Sequence, residues 1–255
     1  IMVTYQRGLY LTWAIRNFRP SFRVLKSVYQ VAFPTVIMEI ISVFIMAFLN
    51  RLLTSFGHAA MAVLGIFTHV RAIIYMPVHG LAQGATPVAG FAYGANKNDR
   101  VKETLIKASV MAFFLIGVGW FIIQYCPFWI MNLFTQDPDL INIGVDCMRL
   151  ATIVLPLMGP IIILYSVLQA LGKGTTAMWL SLIRQVGFFL PLLIILPKCL
   201  NIHGIWLAFS ISELLSFLLA MAFFISLWRE LQTKKRPLVL LLFNGRYTLQ
   251  RLLAW

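Results

Sequence analysis

The chain has 255 residues, of which 60% are hydrophobic and only 11% are charged, and its mean hydropathy is +0.86. A soluble domain is about 45–50% apolar and about 25% charged, so this composition excludes a water-soluble globule. Cys126, Cys147 and Cys199 form no CxxC pair, which excludes a disulfide-stapled scaffold. A net charge of +13 would suggest a nucleic-acid partner in a soluble domain. In a membrane protein, lysine and arginine instead mark the connections on the cytoplasmic side.

Six stretches of the chain are long and apolar enough to cross a bilayer, which takes about 20 residues. None of them alternates apolar and polar residues with period two, which excludes a β-barrel. The fold class predicted is therefore an all-α membrane protein with six transmembrane helices. In chain order the predicted spans are 27–50, 59–78, 108–131, 147–170, 175–197 and 204–228.

Lysine and arginine are distributed very unevenly between the two sides of these spans. The two ends of the chain and the connections after the second and fourth spans hold 16 of them, whereas the other three connections hold only Arg51 and Lys198. Because the cytoplasmic side carries the excess of basic residues, both termini are predicted to be cytoplasmic. This topology accounts for the positive charge without a nucleic-acid partner.

The basic ends define three regions of the chain. Residues 1–26 are predicted to be a cytoplasmic linker that contains an interfacial helix, 27–228 the transmembrane region, and 229–255 a basic cytoplasmic tail. The tail mixes leucine and tryptophan with arginine, so it suits either a second interfacial helix or a solvated segment. No cleavable signal peptide is found in the first region.

Polar side chains within the spans are the candidates for function, because they are costly to place in a membrane. The sequence has no P-loop, GxSxG or HExxH motif, and its histidines lack metal-ligand spacing. We therefore expect a protein that is not an enzyme, with no catalytic residue, metal or cofactor other than a coupling ion.

Two pairs of charged residues stand out by their depth. At about 1.5 Å per residue, Glu39 lies roughly 18 Å from the inner end of its span and Arg71 roughly 18 Å from the outer end of the next. Both are then near the middle of a core about 30 Å thick. Glu39 is either a carboxylate that binds H⁺ or Na⁺ or one half of a structural ion pair with Arg71. Arg184 and Glu213 form a second candidate pair, for which we favour a structural role.

The segment from Met76 to Val101 resembles the signature of the multidrug and toxic compound extrusion (MATE) transporters. A Pro and a Gly that end the second helix of a lobe are followed by Gln-Gly, Pro and an aromatic-Gly-Ala turn before Asp-Arg. The residues that carry this pattern are Pro77, Gly80, Gln83, Gly84, Pro87, Tyr93, Gly94, Ala95, Asp99 and Arg100. A second stretch agrees through Gln169, Gly172, Lys173, Arg184, Gln185 and Pro191, and the resemblance covers about 25–230.

The resemblance implies that the six helices are the second of two lobes around a central cavity, so that the chain is a C-terminal half and the N-terminal lobe is its partner. The start at Ile1 rather than Met agrees with this expectation. Members of the family use an inward H⁺ or Na⁺ gradient to expel organic cations and other amphiphilic drugs by alternating access, in the plasma (inner) membrane. The cavity residues that follow are Glu39, His69, Arg71, Met158, Tyr165 and Gln169, with Arg184 and Glu213 as further candidates.

Two departures and two alternatives accompany this expectation. Ala92 stands where this branch of the family often has Asn. Glu39 lies five residues after Pro34, whereas one branch of the family places its acidic ion ligand about eight residues after, a turn deeper. Another branch places its coupling acids in the first lobe. As alternatives, arginines such as Arg71 and Arg184 would suit a flippase for lipid-linked precursors, and a split-gene remnant would not transport at all.

Overall fold

The computed structural model describes residues 22–233, which form a bundle of helices with no strand in that range. Two other segments interrupt the α-helices, a 3₁₀ turn at Leu155–Leu157 and a π-helical segment at Ile183–Phe189. Most of the predicted linker and tail lies outside the described residues. The α-helices are α1 Phe22–Thr54, α2 His58–Gly94, α3 Asn98–Tyr125, α4 Pro127–Asn132, α5 Pro138–Ala151, α6 Met158–Ala170, α7 Gly174–Leu182 and α8 Leu190–Thr233.

Four continuous helical stretches of the described chain are long and apolar enough to cross a membrane: Ala32–Thr54, His58–Gly94, Asn98–Tyr125 and Gly174–Arg229. A fifth is formed by α5 and α6 together, which are bent by 49° where they meet. Pro156 lies in the bend, and a proline there cannot donate the backbone hydrogen bond that would continue the helix. The predicted all-α membrane fold is confirmed.

The stretch Gly174–Arg229 folds back on itself at Asn201, whose φ is 51°. A Cβ atom on Gly204 would overlap the carbonyl oxygen of Leu196. In a straight helix these residues would be about 12 Å apart, so the chain has reversed between them, and glycine permits the close approach. Residues 202–233 form the second arm of α8. The described chain has four stretches able to cross a membrane, or five with the bent pair, and the six spans stay a prediction.

Three of the predicted spans differ clearly from the helices in their bounds. The fourth, predicted to begin at 147, begins with α5 at Pro138, because Asp137 caps the helix there and its side chain accepts a hydrogen bond from the backbone nitrogen of Asp139. The sequence predicts that the second span ends near residue 78, but α2 continues as a helix to Gly94, through Pro77 and Pro87. Its small residues recur at helical spacing and are buried against α3 and α6, which stabilises the helix there; they are Ala82, Ala85, Ala89 and Ala92. The third span ends at Tyr125 rather than 131, because Pro127 starts the separate short helix α4.

Close packing and hydrogen bonding hold the bent pair α5–α6 against α3. A Cβ atom on Gly159 would lie 2.7 Å from the backbone of Ala112, so the two helices touch along their backbones. Near the bend, the amide nitrogen of Gln124 donates to the Arg149 carbonyl oxygen at 3.1 Å and to Thr152 Oγ1 at 3.2 Å. Carbonyl groups freed by a broken helix need such partners inside a membrane.

Two apolar clusters fill the bundle at different depths. The first cluster includes residues of α2 up to Val70 and residues of the second arm of α8 up to Phe209. The second cluster begins at Val78 on α2 and at Ala220 on α8. The cluster that contains Val78 also contains the first half of α3, next to the basic connection predicted to be cytoplasmic. Arg71 and Glu213 lie in the segment between the two clusters.

Candidate functional site

A cavity of about 450 Å³ opens between α1, α2, α6 and the segment from α7 to the π-helix. We call it the central cavity. Its lining combines charged, hydroxyl, amide and aromatic groups with methionine. The polar and aromatic residues that line it are Thr35, Glu39, Ser42, Arg71, Tyr75, His79, Tyr165, Ser166, Gln169, Ser181, Arg184 and Gln185. The structure thus brings together residues from four parts of the sequence, of which the first and last residues, Thr35 and Gln185, are 150 positions apart.

A second cavity of about 230 Å³ adjoins the central cavity and shares Ser42, Arg71, Arg184 and Gln185 with it. We call it the inner cavity, because it is also lined by Glu213, which is only 3% exposed. The four shared residues form the boundary between the two spaces, so a polar path connects the central cavity to the buried carboxylate.

Arg71 and Glu213 form a buried ion pair. Arg71 Nη2 lies 2.6 Å from Glu213 Oε1, and Arg71 Nε donates to the hydroxyl of Tyr75 at 3.1 Å. The guanidinium carbon also lies 5.0 Å from the ring centroid of Tyr75 and 5.6 Å from that of Phe209. Within the described residues, Glu213 Oε2 and Arg184 Nε are buried without a hydrogen-bond partner.

This pairing differs from the two pairs that the sequence suggests, because Arg71 contacts Glu213 rather than Glu39. The register of α2 against the second arm of α8 explains it. Phe67 and Phe209 pack edge to face with ring centroids 5.6 Å apart. Arg71 and Glu213 each lie four residues further along their helices, and residues four apart share a helix face. The aromatic pair therefore sets the two charged residues opposite each other.

Glu39 lies in a different environment from Glu213. It is exposed on α1 and lines the central cavity, and it forms no ion pair with any other described residue. Thr35 and Ser42 flank it on the same face of α1 and line the same cavity. The structure therefore presents one carboxylate, with hydroxyl groups on either side, to the open space between the helices.

The π-helical segment positions Arg184 and Gln185. Pro191, two residues after its end, cannot donate a backbone hydrogen bond to the carbonyl of residue 187, which favours a wider turn before it. Gln185 is buried; its nitrogen donates to Ser181 Oγ at 3.0 Å and its oxygen accepts from Ser42 Oγ at 3.0 Å. The segment is thereby tied to α1 at the wall of both cavities. Isolated π-helical turns occur frequently at functional sites.

Several predicted residues lie away from the cavities. His69 is exposed and its Nδ1 lies 2.8 Å from the Gly65 carbonyl oxygen, and it lines neither cavity. His69 lies two residues before Arg71, which is about 200° around the helix, so its side chain is on the other side of α2 from Arg71. Gly172, with a φ of 74°, makes the turn between α6 and α7, and Arg100 is exposed at the start of α3.

The remaining motif residues form an exposed face along α2. A Cβ atom on Gly80, Gly84 or Gly94 would have nothing within 4 Å. We call the residues spaced at three or four along this side the α2 face, and all of them are exposed: Ile73, Met76, Pro77, Gly80, Gly84, Pro87 and Phe91. The motif therefore does not line the central cavity.

Sequence reasoning missed Ser42, Tyr75 and His79 as cavity residues. Each lies three or four positions from another residue of the same wall, since Ser42 follows Glu39 by three and Tyr75 follows Arg71 by four. Helical spacing from the charged residues would have identified them.

Comparison with known proteins relates the chain to one family of membrane proteins. The family profile MatE matches residues 34–195. "Multidrug export protein MepA" of Staphylococcus aureus (strain MSSA476) is 28% identical over 211 residues, which are 81% of this chain and 46% of that protein. The protein of the same name from Staphylococcus haemolyticus is 23% identical over 229 residues, 90% of this chain and 50% of that protein. The chain thus spans about half the length of the curated relatives it matches.

Solved structures give the same result. The MATE multidrug transporter DinF-BH has a TM-score of 0.76 and 29% identity, with 88% of this chain and 51% of that chain covered. The MATE transporter VcmN of Vibrio cholerae in its bent form has a TM-score of 0.81 at 18% identity, with 91% and 52% covered; this second likeness is one of fold alone.

Proposed function

The chain belongs to the MatE family of transporters, which are multi-pass proteins of the plasma membrane, and from this premise we propose that it is one lobe of an antiporter. The lobe acts as a transporter rather than an enzyme. It exports amphiphilic or cationic compounds in exchange for H⁺ or Na⁺, and it works by alternating access against a second lobe across the central cavity.

The observation that carries the proposal is the composition of the central cavity. Met38, Met158, Tyr75 and Tyr165 surround a space of about 450 Å³ that also receives the carboxylate of Glu39. Methionine and aromatic side chains adapt to ligands of different shape, and aromatic faces attract organic cations. Such a wall, facing an unpaired carboxylate, supports broad recognition of flat cations.

We assign the coupling cation to Glu39. Its carboxylate lies in the open cavity between the hydroxyls of Thr35 and Ser42, and oxygen ligands of this kind suit Na⁺ as well as a proton. Glu213 is already held by Arg71 at 2.6 Å, so it serves structure rather than exchange. Drug and cation then compete for the same wall of the cavity, which couples their opposite movements.

The α2 face supports the presence of a first lobe. It carries exposed glycine and proline residues, and Cβ atoms on Gly80 and Gly84 would meet nothing. Small residues allow helices to approach closely in membranes. A helix of the first lobe packed along this face would bring that lobe against the open side of the central cavity. The aqueous space of the cavity would then lie between the two lobes.

A second candidate function follows from Arg184. This arginine lines both cavities and forms no ion pair with any described residue. A cation in that position suits the anionic headgroup of a lipid-linked precursor. Transport measurements in membrane vesicles separate this function from drug export, because the two cargoes carry opposite charge.

The test is ethidium efflux from energised membrane vesicles. Vesicles that contain this chain alone are compared with vesicles that also contain the segment encoded immediately upstream. We expect efflux only in the combined case, because one lobe provides one wall of the cavity. Replacing Na⁺ by K⁺ then identifies the coupling ion: loss of efflux indicates Na⁺, and its persistence indicates H⁺.

Two results would contradict the proposal. Efflux by the chain alone, in cells that lack related transporters, would mean that two copies form the transporter. No ethidium efflux in the combined case, with both segments folded in the membrane, would favour the lipid-linked cargo, which movement of a labelled anionic lipid across the vesicle bilayer then tests.

A further inference from the structure

A groove on the outer side of the lobe begins in a charged cavity at its cytoplasmic end. This cavity of about 430 Å³ is lined by Asp99, Lys102, Glu103 and Lys107 of α3 and by Trp228 of α8. We call it the headgroup cavity. Lys102 Nζ lies 4.9 Å from the ring centroid of Trp228 and 4.0 Å from Asp99 Oδ1. Two lysines and two carboxylates thus share one recess beside a tryptophan.

An apolar groove of about 240 Å³ continues from the headgroup cavity between α3, α6 and the second arm of α8. Ile106 lines both spaces and joins them. Phe224 stacks on Trp228 with centroids 5.9 Å apart and forms the wall that passes from one to the other. Deeper in the groove lie Val110, Phe217 and Met221, with Ser109 as the one polar side chain among the residues lining it.

The length of this groove matches one leaflet of a bilayer. From Trp228 to Phe217 the helix rises about 16 Å, and one leaflet of the hydrocarbon core is about 15 Å thick. Tryptophan is enriched at the membrane interface, so Trp228 marks the level of the headgroups. The apolar groove then lies at the depth of the acyl chains of the cytoplasmic leaflet.

The groove faces away from the central cavity and from the α2 face. No residue of α1, α2 or α7 lines it, whereas these elements form most of the central cavity. Val110 is 50% exposed and Met221 is 43% exposed, so their apolar side chains are open to the surroundings of the lobe. At this depth those surroundings are lipid.

We propose that this groove binds one phospholipid of the cytoplasmic leaflet with a zwitterionic headgroup that bears a primary ammonium, as in phosphatidylethanolamine. The phosphate lies against Lys102 and Lys107, the ammonium donates to Asp99 and Glu103, and an acyl chain fills the apolar groove. The recess holds two positive and two negative groups, paired as Lys102 with Asp99 and Lys107 with Glu103 at 2.6 Å, so it offers a partner to each charge of such a headgroup. An anionic headgroup would meet the same two carboxylates with no cation of its own to offer them.

The test measures which lipids the purified full chain retains, by native mass spectrometry from detergent micelles with equal amounts of phosphatidylethanolamine and phosphatidylglycerol. We expect phosphatidylethanolamine to be retained in excess, by about tenfold if its ammonium makes one charge-assisted hydrogen bond to a carboxylate. Val110→Trp fills the groove and should abolish the excess. Lys102→Gln removes the phosphate contact and should lower retention by about tenfold.

Two variants serve as matched controls. Val118→Trp places the same side chain on an exposed position of α3 outside the groove, and Lys97→Gln removes a lysine of the same connection that does not line the headgroup cavity. Both should retain lipid as the unaltered chain does. Equal retention of the two lipids would overturn the proposal, as would unchanged retention by Val110→Trp and Lys102→Gln.

Discussion

At the scale of single residues, two membrane carboxylates of the same type have opposite environments. Glu213 is buried and bound to Arg71 at 2.6 Å. Glu39 lies exposed in the central cavity without an ion-pair partner among the described residues. A fixed ion pair resists exchange of its proton or cation, whereas an accessible carboxylate permits it. The two residues should therefore respond differently to the same substitution.

Glu39→Gln removes the charge but keeps the size and one hydrogen-bonding oxygen. We expect it to abolish ethidium efflux by the combined lobes without lowering the amount of protein in the membrane, because the side chain faces open space. Efflux from vesicles and immunoblotting of the membrane fraction are the two measurements. Unchanged efflux would show that coupling resides in the first lobe.

Glu213→Gln is the matched substitution at the buried position. It leaves the Arg71 guanidinium without a counter-charge, which costs about 3 kcal/mol when one partner of a buried pair is removed. The thermal midpoint in detergent should fall clearly below that of Glu39→Gln. A double replacement, Arg71→Met with Glu213→Met, should recover much of the loss; equal midpoints for the two glutamine variants would contradict a structural role for the pair.

At the scale of helices, the bundle depends on close backbone contacts and on breaks at defined residues. The bend between α5 and α6 follows Pro156, and α8 reverses at Asn201. Gly159 allows α6 to lie against the backbone of Ala112, where a Cβ atom would approach to 2.7 Å. This contact holds the helix that carries Tyr165 and Gln169 and so fixes one wall of the central cavity.

Gly159→Ala should destabilise the lobe by about 1–3 kcal/mol, because the Ala112 backbone cannot move aside as a flexible side chain could. Gly117→Ala on α3 is the control, since its Cβ atom would meet nothing within 4 Å. A helical alanine replacing glycine is favoured by about 0.5–1 kcal/mol, so the control should be slightly more stable. Thermal midpoints measured in the same detergent compare them; a rise for both would refute the tight contact.

At the scale of the whole molecule, the lobe has three distinct surfaces. The central cavity holds the charged residues, the α2 face presents glycine and proline, and the groove on α3 and α8 joins a charged recess to an apolar channel. Because the chain covers 46–50% of its relatives, a partner along the α2 face is what the proposed transporter requires. Lipid contact on the opposite side is compatible with that partner.

Gly84→Leu tests the assignment of the α2 face. A leucine there has open space in this lobe and a higher helix propensity than glycine, so the thermal midpoint of the chain alone should not fall. With the first lobe present, the side chain should obstruct close helix packing and lower ethidium efflux. Gly117→Leu, also at an open glycine, is the control for leucine itself. Full efflux by Gly84→Leu would place the first lobe on another surface.

The all-α membrane fold and the family could be predicted from the sequence because they depend on local quantities, and the orientation of the spans stays a prediction of the same kind. A run of apolar residues must lie in the membrane whatever its neighbours are, and the basic connections determine which side they face. The depth of Arg71 near mid-membrane follows from the rise per residue alone. The motif around Gly84 also identified the family without any knowledge of the helix packing.

The tertiary structure decided which charged residues meet. Arg71 was within reach of Glu39 by depth, yet it pairs with Glu213, 142 residues away, because Phe67 and Phe209 set the register of α2 on α8. Depth gives one coordinate of a side chain, whereas pairing also needs the rotation of each helix and the identity of its neighbour. Those depend on how all the helices pack, and no local property of the sequence contains them.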